Sequence, residues 1–174
     1  DDAYVKSGVT VTVTGSGFAT PANATAQVTV GGQSYNIVGV ANDNTLTFTT
    51  GAGNFKDVVI ITDKAGNKNT SGPQLTVDNL APVVGSVNKN SIKNGSTAII
   101  TGSGFQTSPA SPIASVKVNN ATTGIGGFSV NSDTQITLTA TTGDVAHSVI
   151  KITDEAGNSS TATNVKIAID NTAP

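Results

Sequence analysis

Residues 9–18 read Val-Thr-Val-Thr-Val-Thr-Gly-Ser-Gly-Phe. Valine alternates with threonine at a period of two, which predicts a β-strand with one apolar face. The glycines that follow predict a tight turn directly after the strand. The turn motif occurs twice, because residues 15–18 (Gly-Ser-Gly-Phe) recur as residues 102–105. The stretch therefore indicates both a β-sheet protein and an internal repeat.

Two further motifs recur in the same order. Residues 63–67 (Asp-Lys-Ala-Gly-Asn) return as Asp-Glu-Ala-Gly-Asn at 154–158. Residues 78–82 (Asp-Asn-Leu-Ala-Pro) return as Asp-Asn-Thr-Ala-Pro at 170–174. Three landmarks that keep their order predict two homologous modules that meet near Pro82.

Short apolar segments fill each module. In the first, Val28 and Val30 lead into the hairpin signal Gly31-Gly32, and residues 58–61 (Val-Val-Ile-Ile) predict one nearly continuous apolar strand. About six or seven short strands per module, with frequent turn residues, predict an antiparallel β-sandwich. We expect one sandwich in residues 1–80 and a second in residues 81–174.

The composition supports an all-β fold. Only 11% of the 174 residues are charged, 36% are hydrophobic, and Cys, Met and Trp are absent. Glycine occurs 19 times and proline 6 times, and Glu155 is the single Glu among 11 acidic residues. Threonine, valine, asparagine, glycine and serine dominate the rest, which favours strands and turns over helices.

The charge pattern excludes several partners. The formal net charge is −2 and the pI is about 5.1, with no arginine among the nine basic residues. A basic surface for DNA or RNA is therefore not expected. No segment approaches the roughly 18 consecutive apolar residues of a membrane span, so we expect a soluble, mature piece without membrane insertion.

The repeated motifs resemble known families. Gly-Ser-Gly-Phe after a Thr/Val strand resembles the IPT/TIG type of immunoglobulin-like domain. The Asp-x-Ala-Gly-Asn turn and the Asp-Asn-x-Ala-Pro junction resemble tandem bacterial immunoglobulin-like repeats, which build the stalks of large surface and biofilm-associated adhesins. The resemblance implies two tandem immunoglobulin-like sandwiches that act as extracellular, cell-surface spacers. It further implies a monomeric piece whose partners are adjacent repeats, with host or abiotic surfaces contacted elsewhere in the parent protein, and calcium at module boundaries.

Immunoglobulin-like topology makes this calcium expectation specific. The loop between the last two strands lies at the pole where the chain enters, whereas the last strand ends at the opposite pole. The turn of the second module should therefore face the linker that leaves the first. We predict Asp78 and Asp154 as Ca²⁺ ligands, with oxygens from Asn79 and Asn158, since Ca²⁺ takes six to eight oxygen ligands.

The same logic predicts two further sites. Asp63 shares one with Asp1 or Asp2, below a preceding module, and Asp170 awaits a following module. A second interpretation stays open. In the Asp-x-Ala-Gly-Asn turns, the Asp side chain caps the turn and Gly supplies a positive φ without any metal. Asp-Asn before Ala-Pro shapes an extended linker, because the residue before a proline avoids the helical region. Small secreted domains need extra stabilisation, and the absence of cysteine favours the metal.

Catalytic signals are weak. His147 is the only histidine, so a zinc site lacks ligands, and no Gly-x-Ser-x-Gly nucleophile motif occurs. We expect no enzyme and a surface or half-buried strand position for His147. Two alternatives to the adhesin stalk remain: a fragment of a surface-layer lattice, and a module that binds a glycan or a host protein. The second needs an aromatic platform, although Phe18, Phe48 and Phe105 are expected in the core.

Overall fold

The computed structural model describes residues 3–19, 24–106, 112–161 and 164–173. The chain divides into two compact units, Asp1–Asn79 and Leu80–Pro174, one residue from the boundary expected from the repeats. The described residues are all β-strand, turn and irregular structure, so the all-β prediction is confirmed. In that part of the chain, no helix has the length and apolar character that crossing a membrane requires.

The first unit consists of short strands, in agreement with its valine and threonine alternation. They are β1 (Ala3–Val5), β2 (Thr10–Thr14), β3 (Thr25–Val30), β4 (Gln33–Tyr35), β5 (Ile37–Asn42), β6 (Thr45–Thr49), β7 (Phe55–Val58), β8 (Ile60–Asp63) and β9 (Gln74–Val77). The described residues of this unit form three three-stranded sheets, in the orders β1-β9-β7, β2-β6-β5 and β4-β3-β8.

The second unit has longer strands. They are β10 (Val83–Val87), β11 (Ser91–Ile92), β12 (Thr97–Ser103), β13 (Ile113–Val118), β14 (Ile125–Ser132), β15 (Gln135–Ala140), β16 (Val145–Asp154) and β17 (Lys166–Ile169). Two four-stranded sheets form, in the orders β10-β12-β15-β14 and β11-β17-β16-β13. Buried residues of both sheets make one core, as in a β-sandwich.

The alternating patterns place the core correctly. Val13, Leu46 and Phe48 are buried in the first unit and Ile100 and Leu138 in the second. Phe18 and Phe105 are also buried, as the sequence predicted for the Gly-Ser-Gly-Phe motif. Val9 is an exception, because it precedes β2 and is 40% exposed.

The predicted continuous strand at residues 58–61 is wrong in the first unit. β7 ends at Val58 and β8 begins at Ile60, and the two strands belong to different sheets. The N–H of Val59 donates to the carbonyl of Pro73 (3.0 Å) instead of to a strand partner. Gly72 lies so close that a Cβ there would be 2.5 Å from the Val59 carbonyl oxygen. The contact with Gly72 and Pro73 therefore interrupts the strand at Val59, whereas the corresponding strand of the second unit, β16, is continuous.

The antiparallel prediction needs one addition. Each unit has one parallel pair that includes its last strand: β1, the first strand of the first unit, pairs with β9, and β11, the second strand of the second unit, pairs with β17. All other strand pairs among the described residues are antiparallel.

Candidate functional site at the ends of the repeats

The parallel pair fixes the two ends of each unit. Because Ala3 pairs with Leu75 and Val5 with Val77, β1 and β9 run in the same direction. The chain therefore enters the first unit at the Ala3 end, here called the entry end, and leaves it at the Val77 end, the exit end. In the second unit, Ser91 pairs with Ala168, so β11 and β17 also run in the same direction.

The turns predicted as metal sites lie at the entry ends. β8 ends at Asp63 and β9 starts from the same end, because β7 and β9 are antiparallel with Val58 opposite Gln74. Asp154 ends β16 in the same way in the second unit. Asp78 and Asp170 follow the last strands at the exit ends. Within each unit, this arrangement agrees with the predicted topology.

Asn79 ties the exit end of the first unit to its own loops. Its side-chain Oδ1 accepts a hydrogen bond from the backbone N–H of Ser7 (3.0 Å), and its Nδ2 donates to the carbonyl of Gly53 (2.7 Å). Its backbone N–H donates to Oδ1 of Asn54 (2.7 Å). One side chain thus holds the start of the linker against two loops that are distant in sequence.

Asn171 repeats this arrangement in the second unit. Its Oδ1 accepts from the N–H of Asn94 (2.6 Å), and its Nδ2 donates to the carbonyl of Gly143 (3.2 Å). Its N–H donates to Oδ1 of Asp144 (2.7 Å), whose Oδ2 accepts from the hydroxyl of Thr172 (2.8 Å). We call Asn79 and Asn171, with these partners, the exit clasps.

Each entry-end turn is closed by its own aspartate. Oδ1 of Asp63 accepts from the N–H of Asn67 (2.8 Å) and Oδ2 from its Nδ2 (2.8 Å). Asp154 makes the same two bonds with Asn158, at 2.8 and 3.0 Å. The turn-capping interpretation therefore describes real contacts at both sites. A carboxylate oxygen has more than one lone pair, so these bonds leave acceptor capacity.

The rest of the motif completes the turn. Gly66 and Gly157 have φ values of 91° and 87°, a region that favours glycine. The N–H of Lys64 donates to the carbonyl of Ala24 (3.1 Å) and that of Glu155 to Pro112 (2.8 Å). These bonds attach each turn to the start of the neighbouring strand, so the turn is held rigidly at the entry end.

Two carboxyl groups have lowered pKa values. The side-chain amide of Asn67 is the largest cause for Asp63, followed by the backbone N–H of the same residue. For Asp144, the backbone N–H of Asn171 lowers the pKa most, followed by the hydroxyl of Thr172. In both cases the hydrogen bonds stabilise the charged form.

The predicted calcium ligands differ in their surroundings. Asp78 is fully buried, and Asp154 and Asn158 are 2% and 6% exposed. Asp170 is exposed, and its Oδ1 accepts from the N–H of Thr172 (3.0 Å). Asp1 and Asp2 lie outside the described residues. Oxygen donors on buried carboxylates suit a hard cation such as Ca²⁺, so the residues present fit that ion chemically.

The structure brings some of these residues together within a unit. Asp154 and Asn158 are directly hydrogen-bonded, and Asp63 has Asn67 in the same role. In the described ranges, no three histidine, cysteine, aspartate or glutamate side chains form a group that could hold a metal. The predicted site combines two carboxylates with two amides from different units and stays a prediction.

His147 is exposed on β16, as the sequence predicted. The sequence did not predict the exit clasps, because Asn79 was considered only as a metal ligand or as part of an extended linker. The recurrence of Asp-Asn at 78–79 and 170–171 was the signal. It could have indicated a structural role for the asparagine, since an asparagine side chain both donates and accepts hydrogen bonds.

Comparison with known proteins supports the fold. Residues 2–77 match the family model of the IPT/TIG domain. The immunoglobulin-like fold expected from the motifs is therefore confirmed for the first unit. No curated protein sequence matches the chain.

Several solved structures are similar to the chain at low identity. A surface glycan-binding protein of Prevotella bryantii has 19% identity and a TM-score of 0.44 over 95% of this chain and 37% of its own. A mixed-linkage glucan utilization protein of Bacteroides ovatus has 21% identity and a TM-score of 0.38 over 97% and 44%. The Escherichia coli adhesin FdeC has 15% identity and a TM-score of 0.39 over 98% of this chain and 62% of its own. This chain spans less than half the length of the first two.

Proposed function

We propose that this chain, whose residues 2–77 match the IPT/TIG domain, is a pair of spacer modules from the stalk of a bacterial cell-surface adhesin that serves cell adhesion or biofilm formation. The observation that carries the proposal is the parallel pairing of β1 with β9 and of β11 with β17. Chain entry and chain exit then lie at opposite ends of each unit. Modules of this kind add their length to a linear array.

The exit clasps and the entry turns support the same role. A spacer needs its connections held in one direction, and Asn79 fixes the linker residue to loops near Ser7 and Gly53. The entry turn at Asp154 is closed by Asn158 and attached to Pro112. The low charge and the absence of oxidisable Cys, Met and Trp suit long exposure outside the cell.

Calcium stiffening is the finer part of the proposal. Asp78 and Asn79 at one exit end, with Asp154 and Asn158 at the next entry end, supply oxygens for one Ca²⁺. Asp78 and Asp154 are buried carboxylates that would supply two of the six to eight oxygens that Ca²⁺ takes. Bound calcium then restricts bending at the linker and stabilises both units by mass action.

Solution scattering of the 174-residue chain with Ca²⁺ and with a chelator tests this proposal. Calcium stiffening predicts a narrower range of maximum dimensions among the conformations that fit the scattering curve with Ca²⁺. It also predicts a higher melting temperature with Ca²⁺. Equal scattering curves and equal melting temperatures would reject the calcium part. A maximum dimension too short for two modules in series, under both conditions, would reject the spacer itself.

Two alternatives give different outcomes in cheap measurements. A surface-layer lattice fragment predicts self-association at micromolar concentration, which sedimentation velocity detects. A glycan-binding module predicts signal on a glycan array. Monomeric behaviour together with a silent array supports the spacer, whereas either signal favours the corresponding alternative.

A further inference from the structure

The two exit clasps differ at one position. Each clasp asparagine accepts the backbone N–H of a residue that directly precedes a glycine, Ser7 in the first unit and Asn94 in the second. Both glycines have a positive φ, 78° at Gly8 and 76° at Gly95. The backbone of the two segments is therefore alike, whereas the side chain before the glycine is a hydroxyl in one unit and an amide in the other.

The backbone N–H of the glycine is also bound in both units. The N–H of Gly8 donates to the carbonyl of Thr50 (2.9 Å), directly after β6. The N–H of Gly95 donates to the carbonyl of Ala140 (3.1 Å), the last residue of β15. Each segment is thus attached by two successive N–H groups, one to the clasp asparagine and one to the end of a strand.

The clasp does not use the side chain of Asn94. Asn94 is exposed, and its contact with Asn171 is made by its backbone N–H. Among the described residues, the side-chain amide of Asn94 has no hydrogen-bond partner. Ser7 makes the equivalent contact with a different side chain. The amide of Asn94 is therefore free to react without first losing a bond of its own to the described part of the chain.

Asn94-Gly95 is the single Asn-Gly pair in the sequence. Glycine has no side chain to hinder the approach of its backbone nitrogen to the amide carbon of a preceding asparagine. Hydroxide removes the proton of the Gly95 nitrogen, which then attacks Cγ of Asn94. The new C–N bond forms, the bond to the amide nitrogen breaks, and ammonia leaves with a proton from water. Water opens the resulting cyclic imide and leaves aspartate or isoaspartate at position 94.

The folded second unit opposes this reaction. The nitrogen of Gly95 must lose its proton, and that N–H is donated to Ala140 in the folded state. The N–H of Asn94 is bound to Asn171, so the backbone on both sides of the reacting amide carbon is fixed. Ring closure therefore requires local opening of the segment, and its rate follows the fraction of molecules in which the segment is open.

We propose that Asn94 is a spontaneous deamidation site controlled by the exit clasp of the second unit, and that the isoaspartate product keeps this clasp open. Isoaspartate adds one methylene to the backbone between the N–H of residue 94 and the N–H of Gly95. The two groups then no longer match the spacing of Oδ1 of Asn171 and the carbonyl of Ala140. The first unit has Ser7 at this position and is not subject to the change.

Incubation of the full 174-residue chain near neutral pH tests control by the clasp. Peptide mapping by mass spectrometry measures deamidation at Asn94 over time. Asn171→Ala removes the clasp side chain and should raise the initial rate at least about fivefold, because the loss of a hydrogen bond favours the open segment. Asn79→Ala makes the same change in the first unit and should leave the rate unchanged. Equal rates in the two variants overturn the proposal.

A second measurement applies if Asn171→Ala unfolds the second unit. Deamidation of the unchanged chain is followed at several urea concentrations below the unfolding transition, together with hydrogen exchange at the amide of Gly95. Both rates should rise in proportion, because both require release of the same N–H from Ala140. Deamidation at Asn94 that stays constant while exchange at Gly95 accelerates overturns control by the clasp.

The isolated isoaspartate form tests whether the product keeps the clasp open. We expect hydrogen exchange at Gly95 to be at least about tenfold faster in this form than in the unchanged chain. Asn94→Asp introduces the same charge without the extra methylene and is the matched control, with exchange close to that of the unchanged chain. Equal exchange at Gly95 in the isoaspartate form and in Asn94→Asp overturns this part of the proposal.

Discussion

Oδ1 of Asn79 accepts the backbone N–H of Ser7 at 3.0 Å, although the two residues are 72 positions apart. Asn171 and Asn94 repeat the contact at 2.6 Å across 77 positions. An asparagine at the equivalent position of each unit therefore binds the residues at the end where the chain leaves that unit. This repetition makes the exit clasp the best-defined structural feature at the ends of the repeats.

Asn79→Ala should destabilise the first unit. It removes the bonds to Ser7 and Gly53, each worth about 1 kcal/mol net, so we expect a loss of roughly 1–3 kcal/mol. Both tyrosines, Tyr4 and Tyr35, are in the first unit, so tyrosine fluorescence in a urea titration follows that unit alone. Asn36→Ala, at an exposed asparagine of the same unit, is the control. Equal midpoints for the two variants would contradict a stabilising clasp.

Acid should weaken both units through Asp63 and Asp144. Their pKa values are lowered from 3.8 by hydrogen bonds in the folded state. The folded state therefore binds fewer protons than the unfolded chain, and the stabilisation is present above the unfolded pKa and lost as pH falls through the folded pKa. We expect the melting temperature to fall below about pH 4.

Substitutions of Asp63 and Asp144 test whether these two residues cause the loss of stability in acid. Asp63→Asn should flatten the pH dependence of the tyrosine signal, and Asp144→Asn should flatten that of the second unit by circular dichroism. Asp57→Asn changes the net charge equally at an exposed position of β7 and serves as the control. A control that flattens the profile as much as Asp63→Asn would show that net charge alone is responsible.

Alanine should be tolerated better at Gly15 than at Gly102. A Cβ at either position meets the ring of the following phenylalanine, at 2.7 Å from Cζ of Phe18 or of Phe105. At Gly102 it also collides with the carbonyl of Val83. Overpacking of one ring costs about 1–3 kcal/mol, and the backbone collision adds to it. Thermal unfolding followed by circular dichroism should give a lower melting temperature for Gly102→Ala than for Gly15→Ala. The reverse order would contradict the close packing of Gly102 against Val83 of β10.

Calcium ligation by Asp78 and Asp154 makes a separate prediction. Each of Asp78→Asn and Asp154→Asn should abolish the heat of Ca²⁺ binding in calorimetry, because each removes one of two charged ligands from the proposed site. Asp57→Asn should leave that heat unchanged. Turn capping alone predicts no binding heat in the original chain, with Asp154→Asn lowering the melting temperature equally with Ca²⁺ and with a chelator.

Periodicity was enough to predict most of the fold. Alternation around Val13 and Phe48 identifies strands with one buried face, because side chains on a strand point alternately to opposite sides. The repeated motifs also gave the division near residue 80. The break at Val59 was not predictable in this way, since it comes from Gly72 and Pro73, which approach from a later loop.

The sequence predicted the positions of the candidate residues in each unit, whereas calcium ligation by them stays a prediction. Asp63 and Asp154 lie at the entry ends, as topology required, and their contacts to Asn67 and Asn158 are local and readable from the motif. The partners of Asn79 are Ser7, Gly53 and Asn54. Contacts between segments so distant in sequence depend on the finished sandwich and leave no periodic pattern.

The parallel pairing of β1 with β9 has a mechanical consequence. Tension applied to the two ends of the first unit pulls Ala3 and Val77 in opposite directions along their own strands. The hydrogen bonds between these strands are then loaded together in shear, rather than peeled apart one after another. Rupture must break the whole ladder at once, so the unit should withstand stretching by flow or by a moving cell far better than a hairpin of equal length.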